Sequence, residues 1–468
     1  MLREKKLIFN TLLFAISNFG SKALSFFLVP FYTAILSTEQ YGTIDLILTS
    51  CSLLVPIITV SIADAVLRFA MDETNNRSDV FTTGTFVVAL GGILGVFLVY
   101  ALCVALGLRA LWGYVFAVLL LNCFYLLSSQ FCRAISKTVQ FAIGGIIQTF
   151  SLIVSNIVFL LFFSLGIKGY LIALMISYFV AGLFLFFSCE LHIYLKGKID
   201  KRLFINMIKY ATPLIPNTIL WWVMNASDKY FVSYHLGKSY NGLYAVAYKF
   251  PSIISVISTV FFQAWQLSAI EESEAKDKSE YYSMIFQKLF SVLVVGLSVI
   301  LLVLKPVFSI WTNDDYYIAW RYSPALLFAA MFMCFSSFWG SNLIAVKKTG
   351  AILRSAFCGG MINILLNALL IPKNGLHGAA FATFMAFFIT WIVRYFEGQK
   401  YFNIRMNFSF VFVNAALLLV QCAYLDTKYY LPVEVVLCSM VVILNRTCFI
   451  SFMCGIKSMI KKSFGRGK

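Results

Sequence analysis

Fourteen runs of about 20 mostly apolar residues, separated by short polar breaks, lie between residues 7 and 454. A run of that length matches the hydrocarbon thickness of a bilayer. Inside hydrocarbon every backbone N–H and C=O must be satisfied within the protein, which leaves helices or closed barrels, and 20 residues is helix length. The pattern therefore predicts an all-α polytopic membrane protein with about 14 transmembrane helices. Of 468 residues, 61% are hydrophobic and only 12% charged, against about 25% charged in soluble domains. That excludes an ordinary soluble enzyme.

A net charge of +17 raises the question of an acidic partner, but no basic soluble domain is present to hold nucleic acid. Topology accounts for the charge instead. With the N-terminus in the cytoplasm, 26 of the 37 Lys and Arg residues fall on the cytoplasmic side and 7 outside, the asymmetry expected of an inserted protein. Both termini are then cytoplasmic, and an odd number of spans would scramble the bias. Arg394 counts here among the cytoplasmic-side residues. MLREKK, followed by a long apolar run without a small-residue cleavage site, is read as an uncleaved first span. The 11 cysteines lie mostly in apolar runs, with no CxxC pair or Cys/His cluster. They read as small buried hydrophobes, and no metal or other cofactor is expected. His192, His235 and His377 fall at span ends and read as interfacial.

A basic loop at 193–206 leaves six spans before it and eight after. Two local matches cross it. Tyr41-Gly42 pairs with Asn241-Gly242 at an offset of 200, and Gly166-x-x-Gly169 with Gly375-x-x-Gly378 at 209. They suggest two parallel six-span repeats, an arrangement that places substrate near the membrane midplane. The expected organisation is a six-helix lobe at 1–192, a cytoplasmic basic linker at 193–206, a second six-helix lobe at 207–400, and two further helices with a basic tail at 401–468.

Ionisable and amide side chains at membrane depth are expensive and usually face a cavity. In span 7, Asn217, Trp221, Asn225 and Lys229 recur every four residues and share one broad face, with Asp228 on its flank. Trp and Asn suit a sugar and an ammonium suits a phosphate; an inter-helix packing face is the alternative. Span 8 carries Tyr244 and Tyr248 at helical spacing, Lys249 adjacent, and Pro251, which would kink the helix. Aromatic stripes of this kind also serve packing. Lys22 sits deep in span 1 beside Asn18 and Ser25. Asp64 and Arg68 in span 2 form an i,i+4 pair that can neutralise itself locally or act as a gate contact. Lys22, Lys229 and Lys249 against Asp228 leave a cationic interior, which implies an anionic substrate.

The run PLIPNTILWWVMNASDKYFVSYHLGKSYNGLYAVAYKFPSIISVISTVFFQAWQLSAIEE at 213–272 resembles the bacterial polysaccharide flippases, the Wzx-type branch of the MOP superfamily. Glu39-Gln40-Tyr41-Gly42, the stretch from Asp64 to Arg68-Phe69, and Gly375-Leu-His-Gly-Ala-Ala380 fit the same family, and the resemblance covers spans 1–12. It implies two six-helix lobes of MATE-like fold in a bacterial cytoplasmic membrane. It also implies alternating-access transport of undecaprenyl-pyrophosphate-linked oligosaccharide from the inner to the outer leaflet, for O-antigen, capsule or teichoic acid. An ion gradient (H+ or Na+) or the membrane potential would drive it, with membrane lipids and polysaccharide polymerase or assembly proteins as partners and no nucleic acid. On that reading Lys22, Lys229 and Lys249 contact pyrophosphate. Asn217, Trp221, Asn225, Tyr244 and Tyr248 lie near the glycan, and Asp64, Arg68 and Asp228 serve gating or coupling. The competing readings are a lipid II flippase, a MATE-type cation or drug antiporter, and a membrane-embedded polymerase or glycosyltransferase. The lysine excess speaks against the antiporter, and the lack of a sizeable outer loop with catalytic carboxylates speaks against the enzyme.

Overall fold

In the computed structural model the backbone is described for residues 26–72, 74–271 and 278–465. Among the described residues nine helices are long and apolar enough to cross a membrane, and no strand occurs. Most of the first expected span, including Lys22, lies outside the described residues. Each later span coincides with a helix or a pair of helices. The chain divides into two compact units, Met1–Trp222 and Val223–Lys468.

The first unit contains α1 (Val29–Ile35), α2 (Thr38–Ile58), α3 (Ile62–Ala70), α4 (Arg77–Ala105), α5 (Trp112–Ala134), α6 (Thr138–Asn156), α7 (Gly166–Ser188) and α8 (Lys201–Ala211). A capping box starts α2: the Ser37 side chain accepts from Gln40 N–H while the Gln40 side chain accepts from Ser37 N–H. The second expected span is not one helix. α2 and α3 are separated by Val60 (φ 53°) and Ser61 (φ 50°), both left-handed, a conformation that a β-branched residue adopts only under strain. Thr59 and Ser61 answer the interrupted ladder by donating to the carbonyls of Val55 and Pro56. Gly91 on α4 lies against the carbonyl of Ile58, where any side chain would collide.

The basic loop is no loose tether. Asp200 caps α8 by accepting from the N–H groups of Arg202 and Leu203. Leu203, Met207 and Ala211 then join a core with Ile62, Val66 and Phe131. Upstream, Lys198 N–H donates to the Asp79 carboxylate (2.7 Å) and the Thr82 hydroxyl to the Tyr194 carbonyl (3.0 Å). The apolar stripe of an amphipathic helix has thus been buried against the first unit, leaving its lysines outside.

α9 (Leu214–His235) carries the chain from the first unit into the second. There follow α10 (Lys238–Ala247), α11 (Lys249–Glu271), α12 (Lys278–Trp311), α13 (Ser323–Ala345), α14 (Thr349–Phe402), α15 (Phe408–Tyr424) and α16 (Tyr430–Gly465). Pro251 does not kink a long helix as the sequence suggested. The break falls just before Lys249, so Pro251 sits in the first turn of α11, where a missing N–H costs nothing.

The 54-residue α14 is two antiparallel helices joined at Gly375, whose φ of 58° and ψ of −137° reverse the chain without a loop. Across this hairpin Gly378 meets the Leu370 carbonyl, Gly359 meets Thr390, and Arg394 bonds Ser355. The matched glycines behave alike in the backbone. Gly166 (φ 54°) turns the first unit as Gly375 turns the second, and three residues on, Gly169 and Gly378 each rest against a carbonyl of the preceding helix.

α15 and α16 are stitched to the second unit by buried polar groups. The Ser298 hydroxyl donates to Gln421 Oε1 (2.8 Å), and Gln421 Nε2 donates to Glu434 (2.7 Å). Asn445 Nδ2 donates to Asn414 Oδ1 (2.7 Å).

Candidate functional site

In the second unit three hydroxyls gather around one carboxylate. Asp228, on α9, is 1% exposed. Its Oδ2 accepts from the hydroxyls of Tyr244 (2.8 Å), Tyr248 (2.9 Å) and Thr383 (3.1 Å). Its Oδ1 accepts from the backbone N–H of Lys229 (2.9 Å). Three segments converge here: α9 supplies the acid, the α10–α11 junction supplies both tyrosines, and the second half of α14 supplies Thr383. The two tyrosine rings meet edge to face at 5.1 Å, and the Lys229 ammonium stands 5.8 Å from the Tyr248 ring centroid.

Such a cage is what a buried carboxylate requires. An isolated charge in a low-dielectric interior is prohibitive, whereas several hydrogen bonds to the charged oxygens offset much of the penalty. One residue back on α9, the Ser227 hydroxyl donates to Asn363 Oδ1 (2.8 Å), which also accepts from Asn367 Nδ2 (3.0 Å). Asn363 Nδ2 and Asn367 Oδ1 are buried without a hydrogen-bond partner among the described residues. The centre is thus rich in oxygen and amide groups and leaves polar capacity unused.

The residues singled out in the sequence divide on this map. Asp228, Tyr244, Tyr248 and Lys229 come together. Tyr244 is fully buried, and its hydroxyl ends on Asp228. Lys249 is half-buried at the start of α11 and Asn225 is exposed on α9. Trp221 is half-buried on the part of α9 that belongs to the first unit. Its neighbour Trp222 donates from Nε1 to the Thr49 carbonyl (3.0 Å). Asn217 lies on α9 with its side chain outside the described residues, as Lys22 is altogether. The sequence reading passed over Asn363, Asn367 and Thr383. Two asparagines four apart in an apolar run, on one face of a helix, were the available signal.

Two expectations about charge are corrected. Asp64 and Arg68 are both exposed on α3 and form no ion pair with each other among the described residues; the cation that acts on Asp64 is Arg133 of α5. An exposed i,i+4 pair gains too little to hold two flexible side chains together. Arg394, counted toward the cytoplasmic surface, is 2% exposed. Its Nε donates to the Ser355 hydroxyl (2.9 Å) and its Nη1 to the Ser336 carbonyl (2.8 Å). The hairpin of α14 closes over it before the side chain can reach the surface.

Among the described residues no group of three or more His, Cys, Asp or Glu is placed to hold a metal ion.

Comparison with known proteins agrees with this architecture. Residues 7–266 match the family model described as polysaccharide biosynthesis protein. An uncharacterized membrane protein of Methanocaldococcus jannaschii, MJ1068, is 33% identical over 106 residues, which is 22% of this chain and 21% of that protein. The match thus spans about a fifth of that relative's length. Among solved structures, the lipid II flippase MurJ in an inward closed conformation superposes with a TM-score of 0.70 at 15% identity, covering 95% of this chain and 100% of MurJ. An inward-facing multidrug resistance MATE family transporter of the MOP superfamily gives 0.62 at 13% identity, covering 82% and 97%. At those identities the likeness speaks for the fold. These fold neighbours are a flippase and a transporter, and the chain shares their all-helical, multi-pass membrane fold. With the family model matching more than half of its length, the chain belongs to the polysaccharide biosynthesis protein family.

Proposed function

We propose that the protein moves a polyprenyl-pyrophosphate-linked oligosaccharide from the inner to the outer leaflet of a bacterial cytoplasmic membrane by alternating access, coupled to entry of a small cation. The observation that carries this reading is the Asp228 cage inside a transporter fold. A carboxylate held by neutral donors, with two asparagine amides beside it, is a hard oxygen-rich centre that a proton or Na+ can neutralise. Filling or emptying it changes the net charge of the cage and the neighbouring Lys229 by one unit, and that change supplies a driving force across a membrane potential.

The lysines take the anionic end of the substrate. Lys229, held beside the cage, and Lys249 are assigned to pyrophosphate together with Lys22, and Asn217, Trp221 and Asn225 to the sugars. Tyr244 and Tyr248 donate to Asp228, so their contribution to the glycan runs through the position of α9. Asp64, exposed and under the influence of Arg133, is assigned to a cytoplasmic gate with Arg68.

The test is leaflet-resolved transport in proteoliposomes carrying a fluorescent polyprenyl-pyrophosphate oligosaccharide, under imposed Na+, proton or potential gradients. Wild type is expected to flip the lipid, Asp228→Asn to lose the response to one gradient, and Lys229→Ala and Lys22→Ala to lose flipping. Wild type that leaves several such glycolipids unmoved while transporting lipid II would replace the substrate class and keep the fold.

A further inference from the structure

The second unit contains an apolar cavity of about 650 Å³ that the cage does not use. It lies among α12, α13, the second half of α14 and α15, and its size falls in the range of about 300–1,000 Å³ that holds a bound small molecule. One wall is an aromatic ladder: Phe332 meets Phe388 edge to face at 4.9 Å and Trp391 at a tilt at 5.3 Å between ring centroids, and Phe384 stacks on Phe388 at 5.8 Å. The facing wall is α15, through Ala415, Leu418 and Leu419. The lining begins at Met406, before the first turn of α15, and ends at Asp426, beyond its last. A helix of 17 residues rises about 25 Å, so the cavity is a slot that runs most of the way through the hydrocarbon layer. Phe381 (46% exposed) and Leu419 (62%) border it, so it opens sideways, where acyl chains would lie.

Past one end, Arg405 and Asn407 flank Met406 without lining the slot. The charged groups that line it, Arg321 and Asp426, stand at the other end, the one that the lysine and arginine bias assigns to the outside. There Arg321 and Asp426 pair at 3.1 Å with both side chains about half exposed. Trp320 stands between the Lys305 ammonium (4.4 Å) and the Arg321 guanidinium (5.8 Å), an aromatic–cationic arrangement suited to the level of lipid headgroups. An exposed pair contributes little on its own, so a headgroup can part it at small cost.

We propose that this slot binds one zwitterionic aminophospholipid of the outer leaflet, an acyl chain lying along the aromatic ladder, its phosphate on Arg321 and its ammonium on Asp426. The mouth decides between lipids. Lys305 does not line the slot and is engaged by the Leu425 carbonyl (2.6 Å) and the Trp320 and Tyr430 rings, so the lining presents the Arg321–Asp426 pair, which complements a phosphate linked to an amine. A pyrophosphate-bearing carrier lipid would bring two or more negative charges against Asp426, and an anionic glycerol headgroup would leave Asp426 without a partner. The slot is therefore a site for a bilayer lipid, separate from the lysines proposed for the transported substrate.

The test is native mass spectrometry of the full chain, washed in mild detergent and then titrated with phosphatidylethanolamine or phosphatidylglycerol. About one ethanolamine phospholipid per chain is expected in the wild type. Ala415→Trp, which fills the slot, is expected to weaken its retention about tenfold or more, equivalent to about 1.4 kcal/mol. Asp426→Asn, a surface change that leaves the slot open, is expected to keep a lipid bound but erase the preference for ethanolamine over glycerol. Size-exclusion elution and thermal unfolding establish that Ala415→Trp is folded; if it is not, the selectivity of Asp426→Asn decides. Three results would each overturn the proposal: no stoichiometric lipid on wild type, a polyprenyl lipid held in its place, or a headgroup preference that Asp426→Asn leaves untouched.

Discussion

The Tyr244 hydroxyl donates to the Asp228 carboxylate at 2.8 Å across a separation of 16 residues, closing the α9–α10 turn over a fully buried acid. Tyr248 and Thr383 donate to the same oxygen, so the cage has redundancy. Tyr244→Phe removes one donor without opening a cavity. Leaving a buried charged acceptor short of a partner costs about 1–3 kcal/mol, and reversible unfolding in mixed micelles should register a loss of that size. Asp228→Asn should lose less, because it removes the charge that the hydroxyls exist to satisfy. A Tyr244→Phe protein as stable as wild type would show that the hydroxyl does not support the acid.

The α14 hairpin depends on how closely its two halves approach. A side chain at Gly378 would meet the Leu370 carbonyl at 2.5 Å, and Gly375 adds a left-handed φ of 58°. Gly378→Leu should therefore abolish folded yield. Gly375→Ala, with only the conformational cost of a positive φ at ψ −137°, should lose about 1–3 kcal/mol. Gly113, which faces open space, provides the control: Gly113→Ala should be neutral by the same unfolding assay. Equal behaviour of Gly378→Leu and Gly113→Ala would mean the hairpin is looser than its contacts.

The all-helical, multi-pass character was legible because hydrophobic run length is a one-dimensional signal. The hydroxyl cage was not. The sequence reading placed Tyr244 near the glycan and passed over Thr383, whereas the turn from α9 into α10 aims Tyr244 at Asp228 and the return half of α14 brings Thr383 to the same oxygen. The break at Val60 was hidden for a related reason. Nothing in the run Pro56 to Ala63 forbids helix after the proline, and the left-handed pair is held by the packing of Gly91 on Ile58. Arg394 was misplaced because position relative to a span end predicts depth, whereas burial depends on which helices close around it.

Arg394 gives a prediction of its own. Its guanidinium bonds Ser355 and Ser336 in a site that excludes water. Arg394→Ala leaves a large void and a carbonyl short of a donor, and should lose about 2–5 kcal/mol. Arg394→Met keeps much of the volume and should recover part of that loss in the same unfolding measurement. If Arg394→Met and Arg394→Ala are equally stable, volume is irrelevant at this position and the packing account fails.

The pair α15–α16 is held to α12 by Gln421, which accepts from the Ser298 hydroxyl and donates to Glu434. Hydrogen bonds between membrane helices contribute about 0.6 kcal/mol on average and up to about 1.7. Glu434→Gln keeps an acceptor oxygen facing Gln421 and adds no charge, so it should be close to neutral. Gln421→Leu removes both links at once and leaves the Glu434 carboxyl buried without its donor, so it should lose more than either link alone. A double-mutant cycle on Ser298→Ala and Gln421→Leu, read by thermal unfolding in lipid nanodiscs, measures the coupling directly. A coupling energy near zero would mean that apolar packing alone holds the helical pair in place.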